Sequence, residues 1–200
     1  MKNNLPVHLE IYIYIAAIII LLLVIGYIIS TYNMLIRINE NVDKSWSNIS
    51  ILLQQRNNEI PQLVSTCKKY MQHESQTLKK VVSARNIVEE ARSKADIKML
   101  NFAENKLHDC FESLNIVIES YPTIKANETF LKLQNRIIHL ENSIADRREF
   151  FNDSVTIYNI RIKQFPILYV AKMLFLKEKA RLKFPPVNLS EPQLFDKRKS

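Results

Sequence analysis

Apolar side chains fill residues 11–29, IYIYIAAIIILLLVIGYII, nineteen positions without a charge. At a rise of about 1.5 Å per residue this run approaches the ~30 Å hydrocarbon thickness of a bilayer, so it predicts a membrane-spanning helix. Tyr12, Tyr14 and Tyr27 fall towards its two ends, where an amphipathic ring keeps its hydroxyl among the headgroups. A cleaved leader carries an apolar region of only about 7–15 residues and a small-x-small site behind it. Here the run is longer and passes into ISTYN, which offers no such site. The pattern favours a retained anchor.

Beyond Tyr32 the apolar positions become periodic. Leu35, Ile38, Val42, Trp46, Ile49 and Leu53 recur in steps of three and four, the repeat of one buried helical face. The membrane helix therefore runs on into a first bundle helix, with Trp46 as a core residue. Pro61 removes a backbone donor and crowds the preceding turn, which predicts a kink or break there. Leu63, Val64, Cys67, Tyr70 and Met71 resume an apolar face to about His73. A second, short helix follows from Leu78, Val81, Val82 and Val88, with Ser75 as its N-cap. A third follows from Leu100, Ala103, Leu107, Cys110, Phe111, Leu114 and Val117, closed by Tyr121 and Pro122, because a residue before proline is pushed out of the α region. Asn127 is placed to cap the fourth, with Glu128 set against its dipole. The stripe Phe130, Leu133, Ile137, Leu140, Ile144, Phe151, Val155, Tyr158, Ile162 and Phe165 makes that helix roughly 60 Å long.

The expected fold is thus all-α: an antiparallel up-and-down four-helix bundle behind one N-terminal transmembrane helix. Residues 1–10 form a short leading segment, 11–29 the membrane helix and 30–166 the bundle. An even number of passes returns the chain to the membrane face after Pro166. Residues 167–184 mix Leu168, Val170, Met173, Leu174, Phe175 and Leu176 with Lys172, Lys177, Lys179, Arg181 and Lys183, as an interfacial basic helix does. A fifth bundle helix with a solvated charged side fits the same pattern. Residues 185–200, polar with three prolines, read as a flexible tail.

Composition narrows the chemistry. One glycine in 200 residues speaks for long helices, and since Gly26 lies inside the apolar run, no glycine-rich loop is available to cradle phosphate. The formal charge of +8 favours anionic surfaces, with lipid the simplest partner beside a membrane segment. No nucleic-acid interface is indicated, since basic residues alternate with acidic ones outside the C-terminal segment, as in Arg147, Arg148 and Glu149. His8, His73, His108 and His139 contain no HExxH pair, no serine stands in GxSxG or SxxK, and no catalytic, cofactor-binding or metal-ligating set is identified. Cys67 and Cys110 lack a CxxC spacing and read as buried free thiols, with a single bridge as the alternative in an oxidising compartment. Asn152, Asp153, Tyr158 and Asn159 are polar groups within or beside the last apolar stripe. They either hydrogen-bond between helices in the core or line a partner site.

The stretch YNMLIRINENVDKSWSNISILLQQRNNEIPQLV resembles the opening of LemA family proteins, through Tyr32 and Asn33, Val42, Asp43 and Trp46, and Pro61, Leu63 and Val64. The likeness continues through Tyr70, His73, Glu74 and Leu78. It returns at Tyr121, Pro122, Lys125, Ala126, Asn127, Phe130, Leu133 and Gln134, and again at Phe151, Asn152, Asp153, Val155, Tyr158, Asn159, Phe165 and Pro166. It covers about residues 30–171, and after Pro166 the family's glycine-phenylalanine ending is replaced by the lysine-rich segment. The resemblance implies a four-helix bundle behind a membrane helix, with a short external N-terminus and a cytoplasmic bundle at the bacterial inner membrane. The family it points to has no established biochemical activity, and the resemblance suggests proximity to envelope membrane metalloproteases. Three roles are therefore expected to compete: a non-enzymatic scaffold or interaction protein of the cell envelope, an accessory of a membrane protease, and an anionic-lipid binder acting through the basic C-terminal helix. The few charges flanking the span, Lys2 before it and Arg37 and Lys44 after it, point the same way.

Overall fold

The computed structural model describes residues 7–186, with side chains from Ile11 onward. It is all-α: α1 Val7–Lys68, α2 Ser75–Ser93, α3 Ile97–Glu119, α4 Pro122–Lys125, α5 Glu128–Lys163 and α6 Ile167–Met173, with no strand among the described residues. The chain divides into two compact units, one built from residues up to Asn41 with Thr156–Lys179, the other from Val42–Val155 with residues from Ala180 on.

In the first unit, every side chain from Ile11 to Ile29 is exposed, and α1 is the one described helix long and apolar enough to cross a membrane. Burial begins at Thr31 and Leu35, without any break in the helix. Tyr158, Ile162, Ile167, Val170 and Ala171 supply the other buried positions of this unit.

In the second unit, α1 buries Val42, Ile49, Leu53, Ile60, Leu63 and Cys67, and Trp46 lies half-buried with its ring centroid 5.9 Å from that of Phe151. Helix α2 buries Leu78, Val81, Ala84, Val88 and Ala91, and α3 buries Leu100, Ala103, Leu107, Phe111, Leu114 and Ile118. Helix α5 adds Phe130, Leu133, Ile137, Ile144, Phe151 and Val155. Each large apolar side chain buried in this way stabilises the unit by about 1.5–3 kcal/mol before conformational entropy is set against it. Val82, expected inside, is exposed, and Ala84 holds the inward position instead.

Pro61 does not end the helix. The missing proline N–H would have bonded the carbonyl of Asn57, four residues back. Arg85 on α2 takes its place, donating from Nε to that oxygen at 3.1 Å. A tertiary contact thus replaces the lost intrahelical bond, and α1 continues to Lys68 with Pro61 inside it.

The helix ends explain the other boundaries. Ser75 is the first residue of α2 rather than its cap; Glu74 precedes it and makes no side-chain cap bond. Helix α2 closes with Ala95 at φ 50° and the Asp96 amide on the Ala91 carbonyl at 3.0 Å, a left-handed closure usually given to glycine. Asp96 then caps α3, accepting from the amides of Lys98 and Met99 at 3.0 Å. Asn127 caps α5 as expected, accepting from the Phe130 amide at 2.9 Å. Helix α5 has 36 residues, or about 54 Å, and stops short of Phe165.

The helix expected over 167–184 is not formed as such. Helix α6 ends at Met173, where Phe175 turns left-handed at φ 53° and the Leu176 amide bonds the Ala171 carbonyl at 3.1 Å. From Leu176 to Pro186 the chain has no regular structure. Leu182 and Phe184 are buried while Arg181 and Lys183 are exposed, the two-residue alternation of an extended chain. Of the expected end segments, Val7–Glu10 are already helical and Pro185 and Pro186 irregular; residues 1–6 and 187–200 lie outside the described residues.

Candidate functional site

Two polar arrangements stand out, both within the second unit. The first is ionic and wholly buried. Arg56 projects from α1 at the inward position between Leu53 and Ile60, and its guanidinium is 0% exposed. Nη2 donates to Oε1 of Glu104 on α3 at 2.5 Å, and Nη1 donates to Oε1 of Glu141 on α5 at 2.9 Å. One cation therefore faces two carboxylates from two other helices. Desolvation is the largest influence on Glu104 and pushes its carboxyl above the ordinary range, against the pull of Arg56 and with the repulsion of Glu141. Burial works against the charged Arg56 as well, but the two carboxylates outweigh it and hold the guanidinium more firmly protonated than usual. Oε2 of Glu104, Nε of Arg56 and Oδ1 of the neighbouring Asn57 make no hydrogen bond. A buried network left partly unsatisfied is costly, which sets this cluster apart from the apolar layers around it.

The second arrangement holds the extended segment 180–186. On a helical surface the backbone groups are used up inside each helix, so an extended chain lying there must find its partners among side chains. Asn152 on α5 grips Leu182 twice: its Nδ2 donates to the Leu182 carbonyl at 3.0 Å and its Oδ1 accepts the Leu182 amide at 2.9 Å. Asn101 on α3 takes the neighbours, donating to the Arg181 carbonyl at 3.0 Å and accepting the Lys183 amide at 2.7 Å. In an extended chain, successive residues turn their N–H and C=O groups to opposite edges. The two asparagines therefore satisfy both edges, one from each helix. Further along, Arg148 donates to the Phe184 carbonyl and sets its guanidinium carbon 5.2 Å from the Phe184 ring centre, and Nδ1 of His108 lies 2.9 Å from the Pro186 carbonyl. That carbonyl can only accept, so the His108 Nδ1 carries the proton. Pro185 and Pro186 bring no amide that needs a partner.

The residues expected to form a polar cluster are used differently from one another. Asn152 clamps the segment just described. In the first unit Asn159 uses the same two-point grip on Lys179, at 2.9 Å for both bonds. Tyr158 is buried and its ring lies under the Lys179 amine at 5.2 Å, whereas Asp153 is exposed. Of the expected lipid-facing cations, Lys172 is exposed in the last turn of α6, Lys177 is exposed beyond it, and Lys179 is half-buried against Tyr158. Arg181 and Lys183 are exposed on the clamped segment of the second unit. No helix carries the five together, because α6 ends at Met173 and the chain has no regular structure from Leu176 to Pro186.

Cys67 is free and buried, and burial pushes its thiol up to about 11. Cys110 is free and half-buried, and burial raises it too. Among the described residues no group of three or more His, Cys, Asp or Glu side chains is placed to hold a metal ion. Arg56, Glu104 and Glu141 escape a reading of apolar stripes because all three are charged. Their positions in those stripes are the signal: Arg56 continues 49, 53, 56, 60, and Glu141 continues 137, 141, 144, with Leu140 displaced to a half-buried place.

The model of the LemA family matches residues 45–194. Among curated proteins, the chain is 31% identical over 101 residues to Magnetosome protein MamQ 2 of Paramagnetospirillum magneticum, covering 49% of this chain and 37% of that one. It is 24% identical over 163 residues to Magnetosome protein MamQ of Magnetospirillum gryphiswaldense, covering 70% of this chain and 60% of the relative. The matched regions thus span between about a third and three fifths of the curated relatives' own length.

Proposed function

The chain belongs to the LemA family, and on that premise we propose that it is a membrane-anchored helical scaffold of the bacterial cell envelope, a non-enzymatic protein that binds other proteins. In this reading residues 11–29 span the inner membrane with a short N-terminus outside. The rest of α1 joins α2, α3 and α5 in an antiparallel up-and-down four-helix bundle on the cytoplasmic side. The supporting observation is the change of environment along one unbroken helix. Every side chain of α1 is exposed from Ile11 to Ile29 and almost all of those residues are apolar, whereas from Thr31 on one stripe of the same helix is buried. So long an apolar surface calls for a second apolar solvent.

Partner binding is tested by mild crosslinking in cells followed by co-purification, and the absence of any reproducible partner would remove the scaffold role. Orientation is tested with a Ser200→Cys chain in a Cys67→Ser, Cys110→Ser background, labelled with a membrane-impermeant maleimide. Protection until lysis supports a cytoplasmic bundle, and labelling of intact or outer-permeabilised cells refutes it.

A second reading, contact with anionic lipid, draws support from the first unit. Phe165, Tyr169, Met173 and Phe175 are 65–87% exposed there, beside the exposed Lys172 and Lys177 and in the same compact unit as the apolar helix. Aromatic rings interleaved with lysine suit a headgroup layer. If a chain lacking residues 1–31 ignores anionic liposomes at low salt, this reading fails.

A further inference from the structure

The clamp on residues 180–186 has the properties of a peptide-binding groove that its own chain happens to fill. Its polar contacts fall on main-chain atoms, the carbonyls of Arg181, Leu182, Phe184 and Pro186 and the amides of Leu182 and Lys183. Main-chain contacts of this kind do not depend on which residues the bound segment carries. Buried side chains select at two positions, Leu182 and Phe184, at 2% and 6% exposure. Arg181 and Lys183 between them point outward, so any polar residue fits there. The prolines that follow match a wall that offers donors only, from Arg148 and His108. This is strand capture on a helical surface, with two side-chain amides in place of a sheet edge.

We propose that this groove, formed by Asn101 and His108 of α3 and Arg148 and Asn152 of α5, binds an extended segment of another polypeptide, and that residues 180–186 occupy it in cis until such a segment displaces them. The partner segment carries a large aliphatic residue, one polar residue, an aromatic residue and then proline, in that order. This deepens the scaffold reading and rests on it, because it locates where a partner is held and what part of the partner is held.

The test uses the full chain in detergent or nanodiscs and a fluorescent peptide Ala-Arg-Leu-Lys-Phe-Pro-Pro, the sequence of residues 180–186. Substitution Leu182→Ser with Phe184→Ser frees the groove without touching its walls. The expected result is peptide binding at least tenfold tighter than to the unsubstituted chain, followed by anisotropy. Adding Asn101→Ala and Asn152→Ala should abolish it, and a shifted peptide whose two apolar residues are adjacent and so cannot both face the groove, Ala-Arg-Leu-Phe-Lys-Pro-Pro, should not bind. Binding that survives loss of both asparagines, or equal binding of the shifted peptide, overturns the groove.

A measurement on the unsubstituted chain guards against misfolding of the variant. Saturating peptide should speed hydrogen exchange of the Leu182 and Lys183 amides at least tenfold, and unchanged exchange overturns displacement. If the released segment instead exchanges with a second copy, seen as a dimer that the peptide does not dissolve, the foreign partner is refuted. Crosslinked partners captured equally with and without Asn101 and Asn152 would leave the scaffold standing and remove only this site.

Discussion

Replacing Arg56 by methionine removes the cation that is hydrogen-bonded to both Glu104 and Glu141 and leaves two carboxyl groups in a place where their partner's exposure is 0% and theirs 0% and 4%. Methionine keeps most of the volume, so the loss is electrostatic rather than a cavity. Breaking a buried pair by removing one partner costs about 3–5 kcal/mol, a large part of the ~5–15 kcal/mol that holds a domain folded. At about 2–4 °C per kcal/mol for a chain of this size, Tm at pH 7 should fall by roughly 6–20 °C. The sign of the pH dependence follows from Glu104. Its carboxyl already stands above the ordinary range because of desolvation, with Arg56 pulling it down; without Arg56 it rises further. A carboxyl raised in the folded state contributes stability that is present at low pH and lost as pH rises through its folded range. The deficit of Arg56→Met should therefore shrink as pH falls from 7 towards 5, and adding Glu104→Gln should recover part of it at pH 7. Chemical denaturation followed by circular dichroism at both pH values, with the native helical content checked first, reads this directly. A variant within about 1 kcal/mol of the unsubstituted chain at pH 7, or a deficit as large at pH 5 as at pH 7, would show that the cluster does not carry the energy assigned to it.

Arg85→Ala leaves the Asn57 carbonyl without the donor that replaces the Pro61 amide and should cost about 1–3 kcal/mol; Pro61→Ala in that background should restore much of it, as a double-mutant cycle in urea will measure. Ala95→Gly relieves a left-handed residue at φ 50° and should raise stability by about 1–2 kcal/mol in the same assay. Asp96→Ala removes the two cap bonds of α3 and should destabilise by about 1 kcal/mol. With its thiol pushed up to about 11 and its side chain buried, Cys67 should react with maleimide at pH 7.5 far more slowly than the half-buried Cys110, and the two should converge in denaturant.

Steps of three and four along the chain were enough to locate α1, α2, α3 and α5, because one buried face per helix leaves that signature in the apolar residues themselves. What lay outside that signal was tertiary. Pro61 announced a kink or a break, yet α1 runs on through it, with the carbonyl that the proline leaves unpaired taken by the side chain of Arg85, 24 positions later in sequence. The segment after Pro166 offered apolar and basic residues in a proportion that suits an interfacial helix. Its alternation at 181–184, Arg-Leu-Lys-Phe, is as short as a strand signal can be and is decided by Asn101 and Asn152, which lie far away in the chain. Asn152 was legible as a polar residue beside an apolar stripe. Its task was not, since an asparagine bonding between helices and one gripping a main chain leave the same mark. The ionic core failed for the opposite reason: a search for apolar residues passes over an arginine and two glutamates even when they stand in register.

The most direct test of a membrane-anchored bundle is extraction of cell membranes with alkaline carbonate, comparing the natural chain with one carrying Ile19→Lys and Leu22→Lys. Two lysines near the centre of a span cost about 2.5–3.5 kcal/mol each for insertion, and both positions are exposed, so the bundle itself has nothing to lose. The natural chain should stay in the pellet and the substituted one should move to the supernatant with its Tm unchanged. A natural chain released by carbonate, or a substituted one that remains embedded, would contradict the anchor and with it the account of α1 as a helix shared between two solvents.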